Sequence, residues 1–406
     1  MPDFYQGSTI TTIHRHVPGN LAHLERTLLQ YAGSHPVALV IPALWSDLQA
    51  PAAQAILETL RGVPYLREIV ISLGRADAAQ YAEAKQMVAS LPQETHLIWN
   101  DGPRMQALYR MLAEEVLPAP LEDGKGRSAW ISYGLVLALG HSHVITLHDS
   151  DILTYDREFL ARLVFPVAVP TLSYLFCKGY YSRISDGRLK GRVTRLFVFP
   201  LVKALRRILG PAPFLDFIGD FRYPLAGEFS MVAELALTNR IPSDWGLEVG
   251  VLAEVFRNVS PRRVCQVELC ENYDHKHQEL DPQRADTGLL KMCIDIAKSL
   301  FRTLAAEGVV LDEAFFKVLR ATYTRMAEDI IKNFGADAQI DGLTFDRHEE
   351  ELAVESFCGG LAIAGEEFYG DPMGRPLIPN WSRIVAAVPD FFARLTEVVR
   401  EDGAGA

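Results

Sequence analysis

Short apolar runs alternate with stretches of helical spacing over the first half of the chain. The runs at 37–41, 68–72 and 96–99 are rich in β-branched and other large apolar residues and predict buried strands. Apolar side chains recur at three- and four-residue steps in 51–61, 78–90 and 128–139, which predicts helices between those strands. Because strand and helix alternate, the pattern indicates a parallel sheet of the α/β class.

The pattern changes towards the end of the chain. Apolar runs at 173–176 and 264–269 are compatible with further strands, whereas residues 286–332 have helical spacing. One apolar face of that stretch comprises Leu289, Met292, Ile296, Leu300 and Leu304. We therefore predict an N-terminal arm at 1–35, an α/β domain at 36–284 and a mostly helical C-terminal region at 285–406.

Composition narrows the class of protein. The 406 residues are 49% hydrophobic and 22% charged, as in globular proteins, and the net charge is −11. A nucleic-acid-binding protein needs clustered Lys and Arg for its phosphate contacts, so nucleic acid is not an expected partner. An anionic substrate would need a local basic pocket in so acidic a chain.

The sequence also favours a cytoplasmic location. Its five cysteines are odd in number and form no CxxC pair, which is typical of reduced thiols rather than of a disulfide framework or a zinc site. No basic and apolar leader follows Met1. The most apolar window, 160–176, contains a charged arginine and two prolines and is shorter than the ~20 residues that a membrane helix needs. We expect no association with a membrane.

Asp149, Ser150 and Asp151 directly follow the apolar run at 143–148. A strand that ends on two carboxylates places them at the carboxyl edge of its sheet, where open α/β sheets bind ligands. Carboxylate oxygens suit a hard cation such as Mg²⁺ or Mn²⁺, which can in turn hold a diphosphate. A nucleotide-sugar transferase is therefore the first hypothesis, and the alternative is that both aspartates only form a turn or cap the next helix.

Other small or polar residues stand at the ends of neighbouring strands. Pro42, Ala43 and Leu44 follow the first predicted strand, and Ser72 ends the second. Lys125, between two glycines, precedes the helix that leads into the Asp-Ser-Asp strand. A lysine at that place suits a phosphate as a flexible point charge, and the alternative is a solvated loop lysine.

Seven motifs follow one another between residues 40 and 275. They are Val40-Ile41-Pro42-Ala43-Leu44, Gly124-Lys125-Gly126, Asp149-Ser150-Asp151, Gly191-Arg192-Val193-Thr194, Ala226-Gly227-Glu228, Gly246-Leu247-Glu248-Val249-Gly250 and the segment around His275. In these motifs and their order the chain resembles the retaining GT-A glycosyltransferases that make glucosyl-3-phosphoglycerate, with mannosyl-3-phosphoglycerate synthases as close relatives. The resemblance covers about residues 36–285 and implies a Rossmann-like nucleotide-sugar-binding sheet. Residues 36–151 would bind the nucleotide sugar, and residues 152–284 would bind the acceptor.

The resemblance implies a donor and metal site. It assigns donor binding to Pro42, Ala43, Leu44, Ser72, Lys125, Asp149, Ser150, Asp151 and Glu228. Asp151 would ligate the metal, with Asp149 nearer the ribose or supporting that ligand, and Lys125 would meet the diphosphate. His275 would be a further metal ligand, with His277, two residues away, as the alternative.

The resemblance also implies an acceptor site in the loop formed by Gly191, Arg192, Val193 and Thr194. A guanidinium with an adjacent hydroxyl suits a phosphate or a carboxylate, because guanidinium binds such groups bidentately. Arg188, Lys190 and Arg195 flank the loop and would supply the basic pocket that an anionic acceptor needs. The alternative is a solvated, cationic helix start.

Two glutamates complete the implied site. Glu228 would lie near the sugar hydroxyls, and Glu248 near the reacting centre, where a negative group can stabilise an oxocarbenium-like transition state. We therefore expect catalysis to depend on Asp151, Glu248 and Lys125. The alternative for Glu248 is a structural ion pair within an apolar helix.

One motif departs from the family pattern. The family continues Pro-Ala-Leu with Asn-Glu, whereas this chain has Trp45, Ser46 and Asp47. Backbone contacts from Ala43 and Leu44 to a uracil base survive this change better than side-chain contacts to the ribose. The reaction class therefore depends less on this segment than the identity of the donor does.

Together these features predict a hexosyltransferase, and the resemblance implies retention at the anomeric carbon. It would move a hexose from a nucleoside diphosphate sugar to the 2-hydroxyl of 3-phosphoglycerate, with UDP-glucose as the first choice of donor and GDP-mannose as the second. A GT-A transferase with a lipid or polysaccharide acceptor is one alternative, and a non-catalytic sugar-nucleotide-binding scaffold is another. A homodimer is expected from the family; Phe315, Phe316, Leu319 and Tyr323 would contribute to its interface or belong to the intramolecular core.

Overall fold

The computed structural model describes residues 8–116, 123–242, 246–275, 288–374 and 376–404 of the chain. The strands within these ranges are β1 (Thr11–Ile13), β2 (Val37–Leu44), β3 (Leu66–Gly74), β4 (Glu94–Trp99), β5 (Val144–Leu147), β6 (Phe176–Tyr180), β7 (Ile184–Ser185), β8 (Arg188–Leu189), β9 (Phe229–Val232) and β10 (Val264–Glu268). All except β7 and β8, which form a small hairpin, belong to one sheet.

The sheet is mixed but mostly parallel. Its strand order is β1-β10-β6-β9-β5-β2-β3-β4. β9 runs antiparallel to both of its neighbours, and the other pairings are parallel. Parallel neighbours need long crossovers, which the helices between the strands supply. The predicted α/β class is confirmed.

Helices surround the sheet and continue beyond it. They are α1 (Leu21–Tyr31), α2 (Trp45–Leu48), α3 (Pro51–Arg61), α4 (Ala78–Val88), α5 (Pro103–Glu115), α6 (Lys125–Leu139), α7 (Arg157–Ala168), α8 (Phe199–Leu209), α9 (Pro213–Gly219), α10 (Ala233–Thr238), α11 (Leu247–Asn258), α12 (Gly288–Ala306), α13 (Glu313–Ile340), α14 (Arg347–Gly370), α15 (Trp381–Ala387) and α16 (Phe391–Ala404). A π-helical turn at Val193–Val198 runs directly into α8.

The structure confirms the strands and helices predicted for the first half of the chain. One later strand begins further along the chain than predicted. The run at 173–176 is not a strand of its own, because Pro170–Leu172 form a 3₁₀ turn and Ser173 has φ 60°. The strand β6 begins only at Phe176 and includes Lys178, whose charge interrupts the apolar pattern from which strands are predicted. Helices α5 and α7 were not predicted.

Residues 8–35, predicted as an arm, add the edge strand β1 and the helix α1. β1 pairs with β10 over three residues, too few to give a recognisable alternation in the sequence. α1 packs on α7, where the buried carboxylate of Glu25 accepts a hydrogen bond of 2.9 Å from Arg157 Nε. The start of the chain is therefore part of the sheet layer.

The C-terminal helices pack closely on the α/β part. α13 lies against α8, and α16 lies against α5, α6 and β4. Leu319 and Tyr323 are fully buried, while the rings of Phe315 and Phe316 contact each other and Phe316 contacts Phe301. Leu319 and Tyr323 belong to the intramolecular core and Phe315 and Phe316 pack against it, while a contribution to a dimer interface stays a prediction.

Two further expectations concern the chain as a whole. Among the described helices, none combines the length and the apolar character that crossing a membrane would require. All five cysteines lie within the described residues and are free thiols. The division into an arm, an α/β domain and a helical region stays a prediction.

Candidate active site

The predicted donor residues meet at the carboxyl edge of three adjacent strands. Pro42, Ala43 and Leu44 are the last three residues of β2, and Pro42 lies opposite Ser72 of β3. β5 pairs with the other side of β2 and ends two residues before Asp149. Parallel strands bring their carboxyl ends to one edge, which is why residues far apart in sequence come together here.

Lys125 is the centre of an ionic cluster at this edge. Its ammonium lies 2.6 Å from Asp149 Oδ1 and 3.1 Å from Glu248 Oε1. Lys125 begins α6 and Glu248 is the second residue of α11, so two helix starts meet the end of β5. The ion pair considered as the alternative role of Glu248 is therefore present, and its partner is a site residue.

Lys125 and Asp149 each stabilise the charged form of the other. Burial acts to lower the pKa of Lys125, but the carboxylates of Asp149 and Glu248 raise it above its ordinary value. Burial acts to raise the pKa of Asp149, and the Lys125 ammonium outweighs this and lowers it. A cation and an anion thus face each other where a diphosphate would be bound.

Glu228 lies behind this cluster, fully buried, just before β9. Its two carboxyl oxygens accept hydrogen bonds of 2.7 Å from the hydroxyls of Tyr273 and Tyr181. Burial, and then repulsion by Asp149, raise the pKa of Glu228 above its ordinary value. A Cβ atom at position 227 would lie 2.5 Å from Asp149 Oδ2, so glycine is required at this close approach.

A second lysine, Lys178 of β6, belongs to the same buried group and was not predicted. Its side chain is fully buried, and its ammonium donates a hydrogen bond of 2.6 Å to the carbonyl of Ala226. Burial lowers the pKa of Lys178 to about 8, against the attraction of Glu248 and Glu228. A lysine inside a buried strand was the available signal, because charged residues are rarely buried without a partner.

His275 reaches the Asp-Ser-Asp motif through a short backbone pairing. Ile152 and His275 form an antiparallel bridge, and the Leu153 amide donates to the carbonyl of Asp274 at 2.9 Å. This places His275 Nδ1 at 3.5 Å from Asp151 Oδ2, with the two side chains 26% and 25% exposed. His277, the alternative ligand, lies outside the described residues.

Asp151 and His275 fit a divalent cation that takes its other ligands from a substrate. A carboxylate and an imidazole are both ligand types for Mn²⁺, and Mg²⁺ is commonly held by one or two carboxylates together with substrate phosphates. Across the described ranges, no group of three or more His, Cys, Asp and Glu side chains is placed to hold a metal by itself. The arrangement therefore matches a cation shared between the protein and a diphosphate.

Ser72, a predicted donor residue, and Trp45, at the departure from the family pattern, are both buried but have different surroundings. Ser72 is fully buried, and its hydroxyl accepts a hydrogen bond of 2.8 Å from the amide nitrogen of Asn100. Asn100, which follows β4, also accepts from Tyr109 OH at 2.6 Å and was not identified from the sequence. Trp45 begins α2 and is 7% exposed. The tryptophan that departs from the family pattern is therefore packed in the core.

The predicted acceptor segment is helical rather than a loop. Gly191 has φ 71°, and the helical backbone begins at Arg192. Val193 and Thr194 are buried in the π-helical turn, and the Thr194 hydroxyl has no partner among the described residues. The Arg192 guanidinium donates to Glu349 and, at 3.3 Å, to Glu350 of α14. The sequence missed both glutamates, because they lie more than 150 residues further along the chain.

A group of tyrosines lies between Glu228 and the predicted acceptor segment. The rings of Tyr181 and Tyr273 stack at 3.9 Å, and the ring of Tyr223 lies 5.0 Å from Tyr181. A Cβ atom at Gly191 would lie 3.0 Å from the Tyr223 hydroxyl. The aromatic group thus spans from the Glu228 carboxylate to the start of the acceptor segment, a link that no spacing in the sequence indicated.

A mostly parallel sheet with an Asp-Ser-Asp motif, a lysine and two glutamates at one edge defines a glycosyltransferase with the GT-A fold. The crystal structure of glucosyl-3-phosphoglycerate synthase from Mycobacterium tuberculosis in complex with Mn²⁺, UDP and phosphoglyceric acid has the same fold. It aligns with a TM-score of 0.51 at 21% identity, covering 75% of this chain and 88% of that one. A structure of that enzyme with Mn²⁺, UDP-glucose and phosphoglyceric acid gives a TM-score of 0.52 at 20% identity, covering 76% and 90%.

Sequence relatives define the family. The glucosyl-3-phosphoglycerate synthase of Persephonella marina is 44% identical over 402 residues, 99% of both chains. The enzyme of the same name from Methanococcoides burtonii is 37% identical over 98% of both chains. No protein-family model matches the sequence. The chain belongs to the glucosyl-3-phosphoglycerate synthase family, and the resemblance noted in the sequence is confirmed.

Proposed function

We propose that this protein transfers glucose from UDP-glucose to the 2-hydroxyl of 3-phosphoglycerate, with retention at the anomeric carbon. The observation that carries the proposal is the convergence of Lys125, Asp149 and Glu248 beside the Asp151–His275 pair. The near full-length likeness to enzymes named for this product supports it. Retention and the choice of UDP-glucose over GDP-mannose follow from the family.

The donor diphosphate would bind at the edge formed by β2, β3 and β5. Lys125 supplies a fixed positive charge for the phosphate oxygens. Asp151 and His275 would hold Mg²⁺ or Mn²⁺, the ions in crystal structures of the Mycobacterium tuberculosis enzyme of the same fold. When bound, such a cation acts as a Lewis acid that offsets the charge developing on the departing nucleoside diphosphate.

The carboxylates of Glu228 and Glu248 have separate roles in the proposal. The hydroxyls of two tyrosines fix the orientation of the Glu228 carboxylate. In that orientation Glu228 would accept a hydrogen bond from a sugar hydroxyl. Glu248 is 7% exposed and faces Lys125, where its charge would stabilise an oxocarbenium-like transition state. The acceptor hydroxyl would attack the sugar from the side of the leaving phosphate, which takes its proton.

The acceptor would bind at Gly191, Arg192, Val193 and Thr194. The side chain of Arg192 is 29% exposed, so an anionic ligand can reach its outer side. The buried hydroxyl of Thr194 has a hydrogen bond to offer within the same turn. This segment is the basic pocket that an acidic protein needs for a substrate with a phosphate and a carboxylate.

A cytosolic homodimer is part of the same proposal. The free state of all five cysteines supports a reducing compartment. The homodimer rests on the family resemblance.

The metal assignment is tested by replacing Asp151 with Ala. Nucleotide release from UDP-glucose and GDP-mannose is measured with and without 3-phosphoglycerate and Mg²⁺. We expect acceptor-dependent release from UDP-glucose in the unchanged protein, and a loss of roughly 10³-fold or more in Asp151→Ala, because the metal loses its carboxylate ligand.

Asp329→Ala is the matched control, since Asp329 lies on α13 and pairs with the exposed Arg325 at 3.4 Å. Near-normal turnover in Asp151→Ala would contradict the assignment of the metal. Turnover that does not require 3-phosphoglycerate would contradict the proposed acceptor.

A further inference from the structure

Helix α14 of the C-terminal region supplies two carboxylates to the proposed acceptor arginine. Arg192 Nη2 donates a hydrogen bond to Glu349 Oε1, and Arg192 Nε donates to Glu350 Oε1 at 3.3 Å. The two glutamates are adjacent in sequence but differ in exposure, since the side chain of Glu349 is 42% exposed and that of Glu350 only 6%. The same guanidinium is therefore bound on a buried side and on an outer side.

Glu350 is a permanent part of this arrangement. Arg195 Nη1 donates to Glu350 Oε2 at 2.6 Å, and Arg195 Nη2 donates to Glu350 Oε1 at 3.3 Å. Arg195 is itself held by the carbonyls of Lys190 and Leu189, at 2.9 Å and 3.3 Å. Because both ions are buried, removing the Glu350 charge takes away the carboxylate that pairs with Arg195, which is costly. Glu350 thus fixes the position of the Arg192 guanidinium relative to the rest of the turn.

Glu349 occupies the outer side of Arg192. It also accepts a hydrogen bond of 3.2 Å from Arg188, a second flanking cation of the acceptor segment. The hydrogen bond from Arg192 lowers the pKa of Glu349, so its carboxylate is negative at neutral pH. A phosphate or carboxylate of the acceptor seeks the same guanidinium edge with the same sign of charge. The two anions repel each other and compete for one cation.

The neighbouring helix and loop hold the acceptor segment in place. Tyr323 OH of α13 donates to the carbonyl of Leu196 at 2.8 Å, and the amide of Thr344 donates to the carbonyl of Gly187 at 2.8 Å. These bonds lie on either side of Arg192 in sequence. The C-terminal region therefore frames the segment from both ends.

We propose that α14 completes the acceptor site: Glu350 positions Arg192, and Glu349 competes with the anionic group of the acceptor for the outer edge of the same guanidinium. The inference rests on the proposed function for the identity of that acceptor. It gives the C-terminal region a role in acceptor binding. Glu350 raises the affinity for the acceptor by positioning Arg192, and Glu349 lowers it by competing for the same guanidinium.

The variants Glu349→Gln and Glu350→Gln separate the two roles. We expect Glu349→Gln to lower the KM for 3-phosphoglycerate by about three- to tenfold, because the competing charge is removed. We expect Glu350→Gln to raise that KM by at least about tenfold, because Arg192 loses its anchor. In both variants the KM for UDP-glucose and kcat change by less than about twofold, since the donor side is untouched.

Glu351→Gln is the matched control, because Glu351 lies on the same helix and pairs with the exposed Arg347 at 2.7 Å. An acceptor KM that is unchanged or raised in Glu349→Gln would overturn the competition between the two anions. A change in Glu350→Gln that falls equally on both substrates would overturn the positioning role. Because Glu350→Gln can fail to fold, thermal unfolding is recorded alongside, and Glu349→Gln alone then decides.

Binding of 3-phosphoglycerate, measured by calorimetry for each protein, keeps the inference separate from the proposed reaction. Binding without turnover in the unchanged protein would refute the reaction, and the ratio of affinities between Glu349→Gln and the unchanged protein would still decide the role of α14. Absence of binding in all of the proteins would overturn both.

Discussion

Lys178 is the residue at which burial and charge conflict most directly. It lies in a central strand, fully buried, with Glu228, Glu248 and Asp149 as the acidic groups that favour its charge. Desolvation nevertheless prevails and lowers the pKa of Lys178 to about 8. The residue is therefore protonated at neutral pH but loses its charge under mildly alkaline conditions.

This titration predicts an alkaline loss of activity. Below about pH 8 the ammonium adds positive charge close to Glu248 and Glu228, at the proposed diphosphate site, and as the pH rises through this value the lysine becomes neutral. We expect kcat/KM for UDP-glucose to fall about tenfold between pH 7 and pH 9.5, and Lys178→Met to be less active but without this alkaline limb.

The pH profiles of the two proteins, and of Lys203→Met as a control for an exposed lysine on α8, provide the measurement. An alkaline limb of the same position and depth in Lys178→Met would assign the titration to another group.

At the scale of elements, a contact between two tryptophans helps to join the sheet layer to the C-terminal helices. The indoles of Trp130 in α6 and Trp381 in α15 stack at 4.1 Å, and Trp381 Nε1 donates to the carbonyl of Trp130 at 3.1 Å. A Cβ atom at Gly134 would lie 2.7 Å from Trp381 Cε2. The glycine therefore permits the close approach of the two helices.

Two glycine-to-alanine substitutions in helices should have opposite effects. Gly134→Ala is expected to lower the free energy of unfolding by about 1–3 kcal/mol, because the methyl group overlaps the indole. Gly359→Ala, in the exposed face of α14 with no heavy atom within 4 Å of the new methyl group, should raise it by about 0.5–1 kcal/mol.

Denaturant unfolding of both variants gives these values, and Trp381→Ala should lose about 3–5 kcal/mol at the same contact. Equal effects of the two glycine substitutions would show that Gly134 is replaceable and that the helices tolerate a wider spacing.

At the scale of the whole molecule, the C-terminal helices and the sheet form a continuous core. One cluster of buried side chains extends from Leu39 in β2 to Phe391 in α16. Polar contacts also join the two parts, for example Arg104 of α5, whose Nη1 donates to the buried carboxylate of Asp402 at 2.9 Å. Without the other part, each part would expose apolar side chains of this cluster to water and would lose the partners of its polar contacts.

This continuity predicts cooperative unfolding. Thermal transitions followed by far-UV circular dichroism, which is dominated by helices, and by tryptophan fluorescence, which samples both parts, should coincide in the full chain. Two separated transitions would instead indicate that the helical region unfolds as an independent unit.

The sequence by itself determined the class of fold and which candidate site residues lie at one edge of the sheet. The lengths and spacing of apolar runs identified β2 to β5 and the helices α3, α4 and α6 between them, because these elements depend on local periodicity. Asp149, Asp151 and Lys125 could be placed at the sheet edge because the ends of parallel strands share one edge whatever the other details. The family motifs then indicated the chemistry of that edge.

Only the tertiary structure decided which charges face one another. Lys178 was hidden inside a strand, Arg192 began a helix rather than a loop, and its partner Glu350 lies 158 residues away. Burial of a charge and long-range ion pairs depend on how elements pack, which no local spacing records. For the same physical reason, the sequence predicted only a mostly helical C-terminal region, whereas in the folded protein these helices are part of the core and supply Glu349 and Glu350 to Arg192.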